Sequence, residues 1–160
     1  MLKFLMEPSN QTTLCLLLKE NQILLAMKKR GFGQGRWNGV GGKPNPGENI
    51  IETAVRETEE EIEVTPIDLK QVAILNFYFK NKPEWDQQVL VFTATKWIGG
   101  PTETEEMKPQ WFDLDKIPYN LMWPDDTFWL PLVLKNKKIK AKFIFGENDI
   151  ILDKEINIIK

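Results

Sequence analysis

The stretch GKPNPGENIIETAVRETEEEIEV, Gly42 to Val64, decides how the rest of the chain is read. Pro44, Pro46 and Gly47 mark its beginning as a loop. Asn49 with Glu52 three residues later is an Asn-type capping box, and behind it Ile51, Val55, Thr58 and Ile62 recur at helical spacing. The pattern predicts a helix from Asn49 to about Ile62 that stops before Pro66. Between Glu48 and Glu63 stand seven glutamates and one cation, Arg56. Glu57, Glu60 and Glu61 fall at i, i+3 and i+4, so they share one face, roughly opposite the apolar stripe. Like charges at that spacing destabilise a helix by a few tenths of a kcal/mol per pair, and no lysine at i+4 offsets them. A cluster of hard oxygen donors implies a cation of the Mg²⁺, Mn²⁺ or Ca²⁺ type, with Mg²⁺ taking one or two carboxylates plus substrate phosphates. The plain alternative is a solvated acidic face. Gly41-Gly42-Lys43 directly before the helix weighs against it, because glycines there allow the close backbone approach that a metal-held pyrophosphate requires.

Upstream, Leu14 to Leu18 and Ile23 to Met27 read as a hairpin of core strands around Lys19-Glu20-Asn21-Gln22. Lys28 to Glu48 then carries seven glycines, and a loop of that length inside a compact domain is usually functional. Downstream, Gln71 to Phe79 and Val89 to Trp97 predict a second strand pair divided by Asn81-Lys82-Pro83. Trp111 to Leu114 predicts a short strand. Asp125 to Leu134 predicts a helix with an acidic cap and an awkward Pro131, and Ala141 to Phe145 with Ile150 to Leu152 a closing hairpin.

Composition narrows the chemistry. The chain has 160 residues, which fits one domain over residues 1–160, and a formal charge of −2, which gives no broad electrostatic footprint for a nucleic-acid polymer. Histidine is absent and Cys15 is the single cysteine, so a Ser/His/Asp triad, a Cys/His dyad, the common zinc sites and an internal disulfide are excluded. No apolar run approaches the roughly 18 residues of a membrane span, and Met1 to Met6 is too short and too weakly basic for a signal peptide. The expected setting is cytoplasmic, with the nucleus and mitochondrion as further compartments.

In register, Gly42, Glu48, Arg56, Glu57, Glu60, Glu61 and Val64 match G-x5-E-x7-R-E-U-x-E-E-x-G-U, where U is apolar, and the segment therefore resembles the Nudix hydrolase motif. Two positions depart from it: Thr58 stands at an apolar position and Glu63 at the last glycine. The resemblance implies an α/β fold, an α/β/α sandwich with a mixed β-sheet, and hydrolysis of a nucleoside diphosphate linked to another group. It implies Glu57, Glu60 and Glu61 as metal ligands and base candidates, the Gly41 backbone oxygen as a further ligand, Arg56 as the residue that orients the acidic set, and Mg²⁺, with Mn²⁺ as the substitute, as the ion.

The likeness extends beyond the motif. Met27-Lys-Lys-Arg-Gly-Phe-Gly33, Gly35-Arg-Trp-Asn-Gly39, Glu106-Met-Lys-Pro109 and Trp123-Pro-Asp-Asp126 resemble the members of the family that act on oxidised purine nucleoside triphosphates. By that likeness the partner is a small nucleotide, 8-oxo-dGTP or 2-oxo-dATP, cleaved to the monophosphate and pyrophosphate by a monomer. The carried-over binding set is Thr13, Lys28, Phe32, Asn38, Phe77, Trp123, Asp125, Asp126 and Trp129. Asn38 offers a base edge both donor and acceptor, the two aspartates accept from ring N–H and amino groups, and the aromatic residues supply stacking and walls. Neighbouring carboxylates in a closed pocket repel, so one of them keeps a proton and becomes a donor. Each has a simpler reading. The aspartates suit a helix N-cap, Asn38 a turn, Lys28 to Arg30 a solvated hairpin end, and Trp123 and Trp129 the core. Glu106 suits either a solvated loop or an additional metal contact or base. Around Asp86-Gln87-Gln88 the chain carries an extra residue, which puts a polar side chain near a methionine position of the family's pocket. Alternative substrates are ADP-ribose or a dinucleoside polyphosphate, and the alternative class is a nucleotide-binding domain without turnover.

Overall fold

The computed structural model describes residues 5–159; residues 1–4 and 160 lie outside it, and with them most of the run Met1 to Met6 read above. Strand β1 (Gln11–Lys19) returns through a tight turn as β2 (Gln22–Lys28), pairing Leu17 with Leu24 and Lys19 with Gln22. Further along, the two strands diverge. A short strand β3 (Trp37–Asn38) pairs with the end of β2, and the chain continues beside β1 through reciprocal bonds between Cys15 and Val40 and from Thr13 N–H to the Gly42 carbonyl at 2.9 Å. The long glycine-rich loop is thus partly strand, and Asn38 is a strand residue rather than a turn residue.

Helix α1 (Ile50–Ile62) follows, with the complete Asn49/Glu52 capping box. Then come β4 (Thr65–Ile67), β5 (Lys70–Phe79), a single 3-10 turn at Pro83–Trp85, β6 (Gln87–Ala94), β7 (Lys96–Ile98) and β8 (Met107–Asp113). The expected strand Val89 to Trp97 is broken at Thr95, because its last residues leave the main sheet to pair with β4. Strand β8 is longer than expected, since it runs along β2 from Lys28↔Met107 to Gln22↔Asp113. Helix α2 (Asp126–Leu134) precedes the closing hairpin of β9 (Lys138–Phe145) and β10 (Ile151–Ile159).

The main sheet is mixed, in the order β10-β9-β5-β6-β1-β2-β3, with β1 parallel to β6 and β5 parallel to β9. Both faces are covered, which is why β1 is a continuous apolar run rather than an alternating one. Leu14 and Leu16 pack with Trp129, Leu130 and Val133 of α2, whereas Cys15 and Leu17 pack with Ile62 and Val64 at the end of α1. This is the α/β/α arrangement.

The face of α1 differs from the expected one. Its buried residues are Thr53, Ala54, Thr58, Glu61 and Ile62, while Ile51 is 52% exposed. Glu61 therefore lies on the buried side instead of opposite it. Thr58 tolerates complete burial because its hydroxyl donates to the Ala54 carbonyl at 2.7 Å, leaving its methyl for the core.

Candidate active site

The loop before α1 sets the acidic helix against β1. A Cβ on Gly41 would stand 1.7 Å from the Thr13 carbonyl oxygen, and one on Gly42 would stand 2.3 Å from the Glu57 carboxyl carbon. Neither glycine has a left-handed backbone, so what requires them is close approach: to strand β1 and to a motif glutamate. That approach lets the Gly41 N–H donate to Glu61 Oε1 at 2.9 Å.

Arg56 organises the remaining carboxylates. Its Nε and Nη2 fork onto Glu48 at 2.7 and 2.9 Å, Nη1 reaches Glu57 at 2.8 Å and Glu60 at 3.2 Å, and Nη2 also donates to the Lys43 carbonyl. The guanidinium, with bonds from Thr53 and Asn45, holds the Glu48 carboxyl down at about 2. Glu61 behaves in the opposite way. Burial pushes it up to about 8; the Gly41 bond lowers it, the charges of Glu57 and Glu106 raise it, and Lys28 lowers it. Burial also raises Glu57, against the pull of Arg56.

Glu106 is outside the helix, half-exposed and 3.5 Å from Arg30. It is nevertheless near enough for its charge to be felt by Glu57 and Glu61. Among the described residues no three acidic side chains converge on one point. Glu57 and Glu60 are turned to Arg56, and Glu61 to Gly41. The donor set still fits a hard divalent cation, since it is all oxygen and contains a buried carboxylate whose ionisation is opposed by neighbouring negative charges.

A cavity of about 490 Å³ opens on the α2 side of the sheet and meets the acidic helix through Gly41 and Gly42, the glycines that touch Glu61 and Glu57. It is lined by Thr13, Lys28, Phe32, Asn38, Phe77, Trp123, Asp125, Asp126 and Trp129, every binding residue expected from the sequence, together with Gly41 and Gly42. The Thr13 hydroxyl accepts from the Gly42 N–H at 3.2 Å, and Asn38 Oδ1 accepts from the Gly39 N–H at 2.9 Å. Phe32 stacks on Trp123 with ring centroids 5.1 Å apart, and Phe77 stacks on Phe143 at 5.7 Å.

The two aspartates are not helix caps. Asp125 occupies the N-cap position of α2 but makes no capping bond. Instead the buried Trp129 Nε1–H donates to Asp125 Oδ2 at 2.8 Å and to Asp126 Oδ1 at 3.1 Å. Burial raises both carboxyls, Asp125 to about 6, and the Asp125 charge drives Asp126 further. Asp126 Oδ2 is buried and receives no N–H or O–H donor among the described residues.

Arg36, Phe79 and Trp85 are among the lining residues that lie outside the binding set expected from the sequence. Trp85 meets Phe32 edge-on at 5.0 Å, so two separate loops touch across the mouth. Gln87 is the polar residue at the expected insertion. Gln88 instead turns to Asn76, donating to its Oδ1 at 3.0 Å. Strand alternation from Val89 gives the signal that assigns Gln87, rather than Gln88, to the cavity face.

Comparison with known proteins agrees with this geometry. The family model of the NUDIX domain matches residues 8–133. The chain is 48% identical over 147 residues to the mouse (Mus musculus) oxidized purine nucleoside triphosphate hydrolase, covering 92% of this chain and 94% of that protein. It is 42% identical over 149 residues to the Danio rerio protein of the same name, covering 93% and 95%. Among solved structures, a MutT protein from Bacillus halodurans superposes with a TM-score of 0.82 at 25% identity, covering 92% of this chain and 97% of that one. The glycine loop, the arginine-braced glutamates and the mixed sheet between two helices are therefore those of a known enzyme family, and the chain belongs to it: it is a Nudix hydrolase.

Proposed function

We propose that this chain hydrolyses oxidised purine nucleoside triphosphates, 8-oxo-dGTP and 2-oxo-dATP, to the monophosphate and pyrophosphate, removing mispairing precursors from the nucleotide pool. The observation that carries the reading is the buried Asp125–Asp126 pair on the wall of an aromatic cavity next to the acidic helix. A pair that holds one proton presents an acceptor and a donor side by side, and moving that proton suits either an oxidised guanine or an oxidised adenine edge. Asn38 supplies a further donor and acceptor. Phe32, Phe77, Trp123 and Trp129 enclose the base, and Thr13 supports the loop that faces the phosphates.

Nudix hydrolases depend on a divalent metal. When bound, the ion, Mg²⁺ with Mn²⁺ as substitute in this reading, neutralises phosphate oxygens and lowers the pKa of water. Glu57, Glu60, Glu61 and the Gly41 carbonyl are the residues that would hold it. Arg56 keeps their carboxylates oriented through Glu48. Glu61 or Glu106 takes the proton from the attacking water, and Lys28 offsets phosphate charge. By the family likeness water attacks phosphorus directly and leaves no phosphoryl-enzyme, and no histidine is present to serve as a nucleophile. In this reading a monomer acts on the cytoplasmic pool, with the nucleus and mitochondrion as further compartments.

Asp126→Asn puts an amide where an acceptor is required and leaves polar groups unpaired, so kcat/KM for 8-oxo-dGTP falls by about 1–3 kcal/mol, roughly 5- to 150-fold. Asp125→Asn shifts the ratio between 8-oxo-dGTP and 2-oxo-dATP. Wild-type kcat/KM ratios in both variants would remove the purine-pocket reading and leave a Nudix hydrolase acting on another nucleotide.

A further inference from the structure

Arg36 has no part in the steps above, yet its surroundings are tightly built. Its guanidinium carbon lies 4.0 Å from the centroid of the Trp123 ring, and its Nη2 donates to Asp149 Oδ2 at 2.9 Å. Its Nη1 is buried with no partner among the described residues. Three distant segments meet here: the loop before β3 brings Arg36, the segment before α2 brings Trp123, and the β9–β10 turn brings Asp149. Asn148 and Asp149 are held in that turn at φ of 56° and 58°, a left-handed backbone that Asn and Asp tolerate better than most residues. Gly33 closes the opposite approach, since a Cβ on it would lie 3.4 Å from Trp123 Nε1.

Trp123 also carries the aspartates. Pro124 separates it from Asp125, and the Asp126 N–H donates to the Trp123 carbonyl at 3.1 Å. Whatever fixes the indole therefore fixes the base-reading end of the cavity. A planar guanidinium can stack on an aromatic face while bonding a carboxylate in its own plane, which an ammonium cannot do. The same charge lowers the Asp125 carboxyl against the effect of burial.

We propose that Arg36, clamped by Asp149, is a positioning residue that fixes the Trp123 indole as the wall of the base-reading end of the cavity, and that the Asp149–Arg36–Trp123 line governs base affinity and not the rate of the hydrolytic step. This rests on the purine-pocket reading. Among the described residues the partners of the Arg36 guanidinium are Asp149 and Trp123, not the acidic helix, so its effect passes through the indole.

The test is steady-state kinetics on 8-oxo-dGTP and dGTP for the wild type, Arg36→Met, Arg36→Lys, Asp149→Asn, Trp123→Phe and the Arg36→Met/Trp123→Phe pair. Loss of the stacked cation in Arg36→Met raises KM for 8-oxo-dGTP about tenfold with kcat within about twofold. Arg36→Lys recovers little of this, and Asp149→Asn moves KM in the same direction by less. The double variant is no worse than the worse single one, because both substitutions break one line. Unchanged KM in Arg36→Met and Asp149→Asn, additive effects in the double variant, or a loss confined to kcat would overturn the proposal. Should Arg36→Met fail to fold, Asp149→Asn decides, since it is nearly isosteric and changes only the charge of the half-buried partner. A wild type without preference for 8-oxo-dGTP over dGTP would overturn the purine-pocket reading itself, whereas a selective wild type with unaltered variants would refute the positioning role alone.

Discussion

Glu63 ends α1 with φ 61° and ψ 35°, a left-handed conformation, and its N–H caps the Glu59 carbonyl. The family motif places glycine there, so this chain accepts the strain of a side chain where none is favoured. Glu63→Gly relieves roughly 1 kcal/mol, partly offset by the entropy of glycine, and raises the Tm by about 1–4 °C in a chain of this size. An unchanged or lower Tm by calorimetry would show that Glu63 contributes contacts that outweigh the strain. The aspartate pair gives a second residue-level expectation. Burial raises both carboxyls above their unfolded value, so the stability tied to their protonated form is complete below about pH 4 and is lost as pH rises through about 6 and beyond. Asp126→Asn cannot ionise, and its Tm relative to the wild type therefore increases from about pH 4 to about pH 8. A constant difference across that range would mean that the aspartate pair holds no proton. Glu48 works with the opposite sign: its depressed carboxyl supports the fold above its ordinary pKa and loses that support as pH falls toward 2.

At the level of elements, the contact between the glycine loop and its two neighbours separates folding from chemistry. Gly41→Ala drives a Cβ into the Thr13 carbonyl, a backbone atom that cannot move without parting the loop from β1, and costs about 3 kcal/mol or more. Gly42→Ala meets the Glu57 carboxyl, the far end of a side chain, so the fold survives while that glutamate is displaced. The expected outcome is a large Tm loss for Gly41→Ala, and a near-normal Tm with hydrolysis reduced by about a hundredfold for Gly42→Ala. Equal losses of stability in both would contradict this division. The same contact explains what was legible beforehand. Helix α1 and its capping box are local, so spacing and Asn49/Glu52 sufficed. Which face is buried depends on how closely the loop lets the helix approach β1, and the apolar positions alone selected Ile51 where the packing selects Glu61. The pairing of β4 with β7 is likewise tertiary, and nothing in Lys96 to Ile98 announces that the strand leaves the sheet.

For the whole molecule, the cavity joins parts distant in sequence: β1, the loop before β3, the ends of β5 and β6, the segment before α2, and Phe145 of β9. The family likeness carried by Met27 to Gly33, Gly35 to Gly39 and Trp123 to Asp126 made the binding set readable, and the adjacent aspartates stood out because charged residues in unusual company carry a signal of their own. Arg36 and Asp149 were unreadable because their partners lie across the fold, and Trp85 because an aromatic residue in a turn has many ordinary explanations. No helix among the described residues is long and apolar enough to cross a membrane. The most direct test of the proposed activity is pyrophosphate release measured across 8-oxo-dGTP, 2-oxo-dATP, the unmodified nucleoside triphosphates, ADP-ribose and a dinucleoside polyphosphate, with Mg²⁺ and with EDTA. The account predicts the highest kcat/KM for the two oxidised purine triphosphates, monophosphate and pyrophosphate as products, and no turnover with EDTA. Equal turnover of oxidised and unmodified triphosphates, orthophosphate with a nucleoside diphosphate as the main products, or activity that survives EDTA would contradict it.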